Sequence, residues 1–397
     1  MAPPRTYAII RRMQLTHLSL FNFRNYVRLE LDLTPGITVL LGDNAQGKTN
    51  LLEAIYYLAT SRSPYAGADR ELINWLSVEQ EPLPYARLVG RVARGGNTAL
   101  LEITVIQQSE NGSRYQKQMR LNGVGKRAMD LLGQLNVVLF LPQDVDLVFG
   151  PPSLRRRYLD ATLCQIDAHY CRTLAGYNQI VTQRNALLRD IADRGGDQSQ
   201  LAFWDERLVS LGSYLVAQRR EAIAVLDNLA RDIHNQLTDG SERLLLQYVP
   251  SLDLQDERTP AEVLVAFEAQ LRLLRPRELG AGVTLTGPHR DELRFLINGV
   301  DAGVYASRGQ QRTAALALKL AEVEMMRRAT GEQPVLLLDD VLSELDVHRR
   351  QFLIRELTGG QQQAIVTTTD LRSLPDAFLQ GCRLWRVEMG RLRDEQT

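Results

Sequence analysis

Hydrophobic and polar positions in the first part of the chain follow two different periods. The apolar runs GITVLLG (36–42) and ALLEITVIQ (99–107) are typical of strands, and a helical period extends from Lys48 to Ala59. Asn122-Gly123, and Asn298-Gly299 further along, each follow a strand pattern and predict tight hairpin turns. This pattern predicts an α/β fold with a β-rich annex.

Between Ser153 and about Thr238 the pattern changes to long amphipathic runs with the period of an α-helix. The segment Arg194-Gly195-Gly196-Asp197 interrupts these runs, which predicts two helical stretches joined by a short turn. No strict heptad pattern persists through four repeats, so we expect this hairpin to pack as a bundle and not as a long coiled coil.

The alternation of strands and helices returns after about residue 280. A loop, TGPHRD, precedes a hairpin and the segment SRGQQR; a helix then extends to about Thr330, followed by the strand PVLLLDD and a final strand, QQAIVTTTD. The helical section is therefore an insertion in a discontinuous domain. For this chain of 397 residues we predict one α/β domain at 1–152 and 276–397, with a helical arm inserted at 153–275.

Composition indicates an ordinary globular protein but does not indicate its binding partner. Hydrophobic residues make up 44% and charged residues 24%, as in an ordinary globular protein. Lys+Arg and Asp+Glu are 47 each, so net charge neither favours nor excludes nucleic acid. Three cysteines without a short repeated spacing indicate neither a disulfide framework nor a zinc site. No apolar stretch reaches about 18 residues and no secretory signal is found, so we expect a cytoplasmic protein without a membrane span.

The octamer GDNAQGKT (42–49) matches the pattern of a phosphate-binding loop, and it follows a strand and opens a helix as that mechanism requires. Backbone N–H groups of such a loop surround the phosphates, and the helix N-terminus adds its positive dipole. Lys48 is predicted to neutralise β- and γ-phosphate oxygens, and the Thr49 hydroxyl to bind Mg²⁺. The predicted nucleotide-binding residues are Gly42, Asp43, Asn44, Ala45, Gln46, Gly47, Lys48, Thr49 and Asn50.

Two carboxylates follow the apolar run of residues 335–338. A buried strand that ends in Asp339-Asp340 is costly unless a cation or a proton compensates the charge. Asp339 fits a Mg²⁺ ligand, and Asp340 fits a general base that orients water. The alternative is a solvated turn, and the phosphate loop favours the functional interpretation.

Ser307 and Gly309 precede the helix TAALALKLAEVEMM within the segment SRGQQR. A hydroxyl residue and a glycine at a helix start can form an anion site. One interpretation is a simple N-cap, and the other is that this segment completes the nucleotide pocket of a second subunit. The sequence pattern alone leaves both open.

In this order, the motifs resemble the ABC-type ATPase head of the SMC class of DNA-maintenance proteins, and within it the RecF family of bacterial recombination mediators. The resemblance extends from Met13 to about Val387. The motifs that carry it are FNFRNY (21–26), RRRYLD (155–160), QRN (183–185), TGPHRDEL (286–293), SRGQQRTAALALKLAE (307–322) and LLLDDVLSELD (336–346).

The resemblance implies further site residues. Arg24 is similar to an arginine that reaches the nucleotide, and Gln143 to a loop residue that joins Mg²⁺ and the attacking water. Ser307, Gly309 and Gln310 resemble the signature that contacts the γ-phosphate across a dimer interface, where Asp346 also resembles an interface residue. Thr369 stands where transporters and many SMC heads have a histidine, which predicts slow hydrolysis because a hydroxyl stabilises γ-phosphate charge less well than imidazolium does.

The function implied by the resemblance is an ATP-dependent clamp that dimerises around Mg-ATP and binds double-stranded DNA and ds–ss junctions or gaps without sequence specificity. It would act with RecO and RecR to load a recombinase on single strands, with weak, DNA-dependent ATP hydrolysis releasing the dimer. Two alternatives share the phosphate loop: a motor subunit of an ABC transporter, and a monomeric small-molecule P-loop kinase.

The surface that would contact DNA is not fixed by the sequence. The run Arg155-Arg156-Arg157 fits either contact with phosphate or a solvated helix face. No helix-turn-helix, zinc finger or similar reader of bases is found, so any DNA binding is expected to depend on structure and not on sequence.

Overall fold

The computed structural model describes residues 11–108, 114–255, 259–360 and 362–395. Packing divides the chain into two compact units, which we call the first unit (Met1–Gln143 with Glu322–Thr397) and the second unit (Asp144–Ala321). The predicted boundaries of the inserted helical arm, residues 153 and 275, differ from this division and remain a prediction.

In the described residues the strands are β1 (Arg11–Phe23), β2 (Tyr26–Asp32), β3 (Ile37–Leu41), β4 (Tyr85–Arg94), β5 (Asn97–Gln107), β6 (Tyr115–Leu121), β7 (Val124–Lys126), β8 (Val137–Phe140), β9 (Leu244–Val249), β10 (Glu292–Ile297), β11 (Val300–Asp301), β12 (Glu332–Gln333), β13 (Val335–Asp339), β14 (Ala364–Thr368), β15 (Cys382–Glu388) and β16 (Arg391–Asp394). The α-helices are α1 (Lys48–Thr60), α2 (Trp75–Gln80), α3 (Ala128–Leu131), α4 (Asp146–Phe149), α5 (Pro152–Ile166), α6 (Ala168–Arg194), α7 (Leu201–Leu237), α8 (Pro260–Ala281), α9 (Ala302–Tyr305), α10 (Arg308–Thr330), α11 (Val341–Glu344), α12 (Val347–Gly359) and α13 (Asp376–Leu379).

A six-stranded sheet of the first unit, in the order β16-β15-β3-β14-β13-β8, positions the predicted nucleotide residues. All of its pairs are parallel except β15 with β16. Every residue of β8, β13 and β14 is buried, which explains their unbroken apolar runs. Because the paired strands are parallel, the carboxyl ends of β3, β13 and β14 meet at one edge, where Asp339 pairs with Thr367 and Leu41 with Thr368.

A second sheet of the first unit is largely antiparallel, in the order β12-β1-β4-β5-β6-β7 with β2 also paired to β1. Helix α1 contributes Leu51, Leu52 and Ile55 to the same buried cluster as residues of both sheets. The start of α1, which carries the phosphate loop, is therefore anchored by a large apolar core.

The second unit combines long helices with the three-stranded sheet β11-β10-β9. Helix α7 packs against α6, α8 and β9. Helix α6 ends where predicted, at Arg194, because Gly195 adopts the left-handed conformation (φ +68°) of a C-cap. The predicted hairpins at Asn122-Gly123 and Asn298-Gly299 are confirmed, and all four residues have positive φ.

Two predictions about elements were wrong. The first amphipathic run is not one helix, because Asp167 ends α5 and caps α6 by accepting from the backbone N–H groups of His169 and Tyr170. The strand β14 is not the last one, because β15 and β16 extend the same sheet on the other side of β3. None of the described helices is both long and apolar enough to cross a membrane.

Candidate functional site

The phosphate loop (residues 42–49) connects β3 to α1 and requires glycine at both ends for steric reasons. Gly47 has φ +116°, and a Cβ atom there would lie 2.6 Å from the side-chain nitrogen of Asn25. A Cβ atom on Gly42 would collide with the carbonyl oxygen of Val387. Other side chains would therefore have to displace neighbouring strands or adopt a strained backbone.

Residues outside the loop hold its backbone in place. Asn25 donates to the carbonyl oxygen of Gln46 at 2.9 Å, and the hydroxyl of Tyr26 donates to that of Gly47 at 2.9 Å. The side-chain oxygen of Gln46 accepts from the Met389 N–H at 2.8 Å. The loop is thus fixed by the turn between β1 and β2 and by the turn between β15 and β16, which leaves its conformation set before any ligand arrives.

Lys48 is buried at the start of α1, with 7% of its surface exposed. Its ammonium donates to the carbonyl oxygens of Gly42 (2.6 Å) and Asp43 (2.8 Å). Burial lowers the pKa of Lys48 below its ordinary value, while the nearby carboxylates, Asp340 first, oppose that shift. A phosphate group would supply the full anionic partner that the two carbonyl dipoles lack.

Thr49 and Asp339 are brought together although 290 positions separate them. The Thr49 hydroxyl lies 3.0 and 2.9 Å from the two carboxylate oxygens of Asp339. Asp339 also accepts from the hydroxyl of Tyr65 at 3.0 Å and from that of Thr367 at 2.9 Å. This buried carboxylate is therefore oriented by three hydroxyl groups.

Asp340 has the left-handed conformation (φ +52°) at the sharp turn after β13. Its backbone N–H donates to the Thr367 hydroxyl at 2.9 Å, and one of its carboxylate oxygens accepts from Ser343 at 2.9 Å. Thr367 thereby links the carboxylate of Asp339 to the backbone of Asp340. A non-glycine residue in this conformation is held by its surroundings, which is common at functional sites.

A cavity of about 250 Å³ joins these groups. Gln143, which lies in the turn Pro142–Val145, faces it together with both aspartates. The predicted residues that line the cavity are Asn44, Ala45, Gly47, Lys48, Thr49, Asn50, Gln143, Asp339 and Asp340, and Tyr65 and Pro142 complete the lining. These residues come from separate sequence motifs that were predicted to form one site, and in the fold they line one cavity.

Six predicted residues of the first unit do not line this cavity: Gly42, Asp43 and Gln46 within the phosphate loop, and Arg24, Asp346 and Thr369 outside it. The guanidinium of Arg24 binds Glu53 through two hydrogen bonds (2.8 and 2.7 Å) and donates to the Glu71 carbonyl at 2.9 Å. Thr369 is exposed just after β14. Asp346 caps α12 by accepting from the backbone N–H of Arg349 at 3.0 Å.

The signature segment (residues 307–310) opens helix α10 in the second unit. The Ser307 hydroxyl accepts from the Gln310 N–H at 3.3 Å, and the Gln310 side chain accepts from the Ser307 N–H at 2.8 Å. Gln310 also donates to Glu242 at 2.8 Å. The N-cap interpretation is thus correct for the backbone, and it leaves Ser307, Arg308 and Gly309 exposed.

Sequence reasoning assigned no role to Asn25, Tyr26, Tyr65 or Thr367. The first two lie inside the motif FNFRNY, so the signal was present without an assigned function. Thr367 could have been found from the rule that carboxyl ends of parallel strands meet, since it directly follows the apolar run of β14. Tyr65 lies in a loop whose residue pattern gives no such signal.

Comparison with known proteins identifies the family. The family model described as RecF/RecN/SMC N terminal domain matches residues 14–390. DNA replication and repair protein RecF of Roseiflexus castenholzii is 48% identical and that of Chloroflexus aurantiacus 46% identical, each over 393 residues that cover 96% of this chain and 99% of the relative.

A solved structure gives the same result at the level of the fold. The structure of the recombination mediator protein RecF-ATP in the RecFOR pathway superposes with a TM-score of 0.87 and 32% sequence identity, over 99% of this chain and all of that one. The predicted fold class, an α/β ATPase head of the SMC type with β-rich and helical additions, is confirmed. This chain belongs to the RecF family of DNA replication and repair proteins.

Proposed function

We propose that this protein is an ATP-dependent DNA clamp that acts as a recombination mediator. The observation that carries the proposal is the convergence of Lys48, Thr49, Asp339, Asp340 and Gln143 on one cavity in a chain of the RecF family. A neighbour of known structure is described with ATP, which supports ATP as the nucleotide. ATP bound between two copies of the chain would stabilise the dimer relative to the monomers.

The cavity suits the phosphate tail of a nucleotide better than a whole nucleotide. Its volume of about 250 Å³ is below the range of roughly 300–1,000 Å³ found for complete small-molecule sites. Its walls are the phosphate loop and acidic side chains, and Tyr65 is its only aromatic side chain among the described residues. The base and sugar would therefore lie outside it.

The oxygen atoms of the site fit Mg²⁺. The Thr49 hydroxyl and the Asp339 carboxylate are 2.9 to 3.0 Å apart. Two ligands of an octahedral ion with Mg–O bonds of about 2.1 Å would be separated by roughly 3.0 Å. Groups of three or more His, Cys, Asp or Glu side chains suited to a metal are absent from the described residues, and Mg²⁺ bound to phosphates needs only one or two carboxylates. Bound Mg²⁺ would neutralise charge on phosphate oxygens.

For hydrolysis, we assign Asp340 as the group that accepts a proton from the attacking water and Gln143 as the group that orients this water. Both line the cavity together with Asp339. Lys48 would hold the phosphate that accumulates charge. We expect hydrolysis to be slow, because Thr369 offers a hydroxyl where related ATPases have a histidine.

Dimerisation would use the signature segment. Gly309 is exposed in the first turn of α10, and apart from the helix backbone its nearest neighbour is the Ser307 hydroxyl, 3.9 Å from a Cβ atom added there. Internal packing therefore gives no reason for glycine at a position where it weakens a helix by about 1 kcal/mol relative to alanine. Close approach of the γ-phosphate held by a second copy supplies such a reason.

The proposed ligand of the dimer is double-stranded DNA, including ds–ss junctions and gaps, contacted through its phosphates without reading bases. RecO and RecR are proposed as partners because a RecF neighbour is described in the RecFOR pathway. The proposed compartment is the cytoplasm, where bacterial DNA is repaired.

Molar mass in solution tests the proposal. Light scattering should give a monomer without nucleotide, a dimer with Mg-ATP, and a dimer bound to duplex DNA when both are present; the dimer should decay as phosphate is released. A monomer under all three conditions that binds ATP and ignores DNA contradicts the clamp and favours a P-loop kinase.

The substitution Ser307→Arg separates nucleotide binding from dimerisation. We expect the variant to bind ATP as the wild type does and to remain monomeric, because an arginine would crowd the γ-phosphate site of the opposing subunit. Ala261→Arg, at an exposed position in the first turn of α8, is the matched control and should dimerise. A Ser307→Arg protein that dimerises normally with ATP contradicts the composite site.

A further inference from the structure

A second cavity, of about 180 Å³, lies entirely within the second unit. Helices α5, α6 and α7 and the segment before β10 form its walls. We call it the arginine cavity, after the lining residues that matter here: Arg156, Arg157, Arg219, Asp160, Ser153 and Asn178. None of them belongs to the predicted nucleotide site.

Charge in the arginine cavity is not balanced by the protein. Arg219 is 2% exposed and is compensated, since it binds Asp160 at 2.7 Å and lies 3.5 Å from Asp291. Among the described residues, Arg156 donates only to the backbone carbonyl of Asp291, at 2.7 Å. In the described part of the chain, no ion pair is formed by Arg156 or Arg157, so two guanidinium groups remain without an anion.

Neighbouring carboxylates are held by other groups and form no ion pair with Arg156 or Arg157 among the described residues. Asp160 is already engaged, because it accepts from Arg219 and, at 2.6 Å, from the hydroxyl of Tyr170. Glu292 is engaged by Arg155, which is buried and binds it through two hydrogen bonds of 2.7 and 2.8 Å. The carboxylates nearest to the cavity therefore bind other groups directly, and they act on Arg156 only through longer-range attraction, without an ion pair.

The remaining titratable group of the wall is neutral. Burial lowers the pKa of His289 to about 4, so its imidazole is uncharged at neutral pH. Its Nε2 lies 3.3 Å from the Thr284 carbonyl and its Nδ1 lies 2.7 Å from the Tyr177 hydroxyl. Burial, followed by the charge of Arg219, also lowers the pKa of Arg156, while the charges of Glu292, Asp291 and Asp160 oppose that shift.

The mouth of the cavity is accessible and rich in donors. Arg157, Ser153 and Asn178 are exposed, so a phosphate that belongs to a long polymer can reach it. Ser153 lies in the first turn of the 15-residue helix α5, where the helix dipole favours an anion. Two guanidinium forks can bind the oxygens of one phosphate in bidentate geometry.

We infer that the arginine cavity is a phosphate-binding site, with Arg156 and Arg157 as its ligands. A phosphodiester of the DNA backbone and free phosphate share this chemistry, and the experiment below distinguishes them. The inference that the site binds a DNA phosphodiester rests on the proposed function, whereas the inference that it binds free phosphate does not.

The first part of the experiment uses inorganic phosphate and thermal unfolding. Phosphate should raise the melting temperature of the full chain by about 1–3 °C over chloride of equal ionic strength. Arg156→Gln and Arg157→Gln should each lose most of that rise. Arg172→Gln, which removes an exposed arginine of α6 outside the cavity, should keep it.

A second variant excludes a trivial loss of folding. Ser153→Glu places a carboxylate at the cavity mouth but also in the first turn of α5, where a negative charge stabilises the helix. We expect its melting temperature in chloride to equal or exceed that of the wild type, with no further rise in phosphate. A full phosphate effect in Ser153→Glu or Arg156→Gln would overturn the inference.

The second part measures affinity for a fluorescent DNA duplex by anisotropy, with Mg-ATP present and salt varied. If the backbone is the source of the phosphate, Arg156→Gln and Arg157→Gln should each weaken binding about tenfold and reduce the salt slope by about 1, and Arg172→Gln should change neither.

Loss of the phosphate effect with unchanged DNA affinity supports a site for free phosphate. A wild type that ignores DNA while phosphate still stabilises it refutes the clamp and retains the cavity. Variants that keep both responses overturn the inference.

Discussion

The starts of helices α1 and α10 each carry a glycine, and the reasons for the glycine differ. In the phosphate loop, a side chain on Gly47 would meet Asn25 at 2.6 Å and one on Gly42 would meet the backbone of Val387, so the chain itself requires glycine. In the signature segment, a side chain on Gly309 would reach nothing closer than the Ser307 hydroxyl at 3.9 Å. Internal packing therefore requires the glycines of the first site and does not require the glycine of the second.

The side chains of the two sites also differ in burial. Lys48 and Asp339 are each 7% exposed and have polar partners within the first unit. Ser307, Arg308 and Gly309 are exposed. Preorganisation of the phosphate loop favours tight binding by a single chain. Exposure of the signature segment fits a contact that forms only when a second copy arrives.

The largest effect is expected for Lys48→Ala. Removal of the buried ammonium should weaken ATP binding by roughly 100-fold or more, because the loss of a buried, charged hydrogen-bond donor costs about 3 kcal/mol. Titration of the protein with a fluorescent ATP analogue measures this directly. Lys126→Ala, at an exposed position of β7, is the control and should bind as the wild type does. Retained affinity in Lys48→Ala would mean that the cavity does not hold the phosphates.

Next in size is Gly47→Ala, which tests whether the loop is shaped by its own chain. The added methyl group meets Asn25 in a backbone conformation with φ +116°, so the free energy of unfolding should fall by about 2–3 kcal/mol. Gly36→Ala is a matched control, because φ is +91° there and no atom lies within 4 Å of the added Cβ. Denaturant unfolding of both variants separates backbone strain from the collision; equal losses would show that the contact with Asn25 is unimportant.

The sequence predicted what local pattern determines. The glycines, the lysine and the threonine of the phosphate loop are recognisable because they must be adjacent in the chain to surround a phosphate. Asp339 and Asp340 were recognisable because charge at the end of a buried strand is unusual. The register of the parallel sheet then brought Thr49 to Asp339 over 290 positions, a proximity that the sequence had implied by assigning both residues to Mg²⁺.

What the sequence did not determine depends on tertiary packing. Arg24 binds Glu53, a carboxylate 1% exposed, and no periodicity reveals this pairing; its contact with the nucleotide stays a prediction. The run Arg155-Arg156-Arg157 was open to two interpretations, and neither describes all three members. Arg155 is buried against Glu292, and only its two neighbours line the arginine cavity. A helix turns by about 100° per residue, so consecutive arginines reach different environments.

Gly309→Ala is expected to have smaller effects, which stabilise the fold and weaken the dimer. The free energy of unfolding should rise by up to about 1 kcal/mol, since alanine favours the helix and nothing obstructs its methyl group. Dimerisation with Mg-ATP should weaken by about tenfold, because a methyl group in a closely packed interface costs roughly 1–2 kcal/mol. Gly280→Ala, also exposed and helical with no atom near its added Cβ, should gain stability without weakening the dimer. Unchanged dimerisation in Gly309→Ala would leave its glycine without a functional reason.

The smallest effect is expected for Asp346→Asn, which tests whether a residue with a clear internal role also contacts a second copy. Asparagine caps a helix about as well as aspartate, so the N–H of Arg349 keeps its acceptor and the free energy of unfolding should change by less than about 0.5 kcal/mol. The side chain of Asp346 is 47% exposed, which leaves part of its charge available to a partner. If the resemblance places it correctly at the interface, dimerisation with Mg-ATP should weaken by about two- to fivefold, as for a charge at the rim.

Asp376→Asn, which changes an exposed carboxylate in the first turn of α13, removes the same charge elsewhere and should leave the light-scattering titration unchanged. Equal behaviour of the two variants would restrict Asp346 to the capping of α12, and the contact with a second copy would then rest on the signature segment alone.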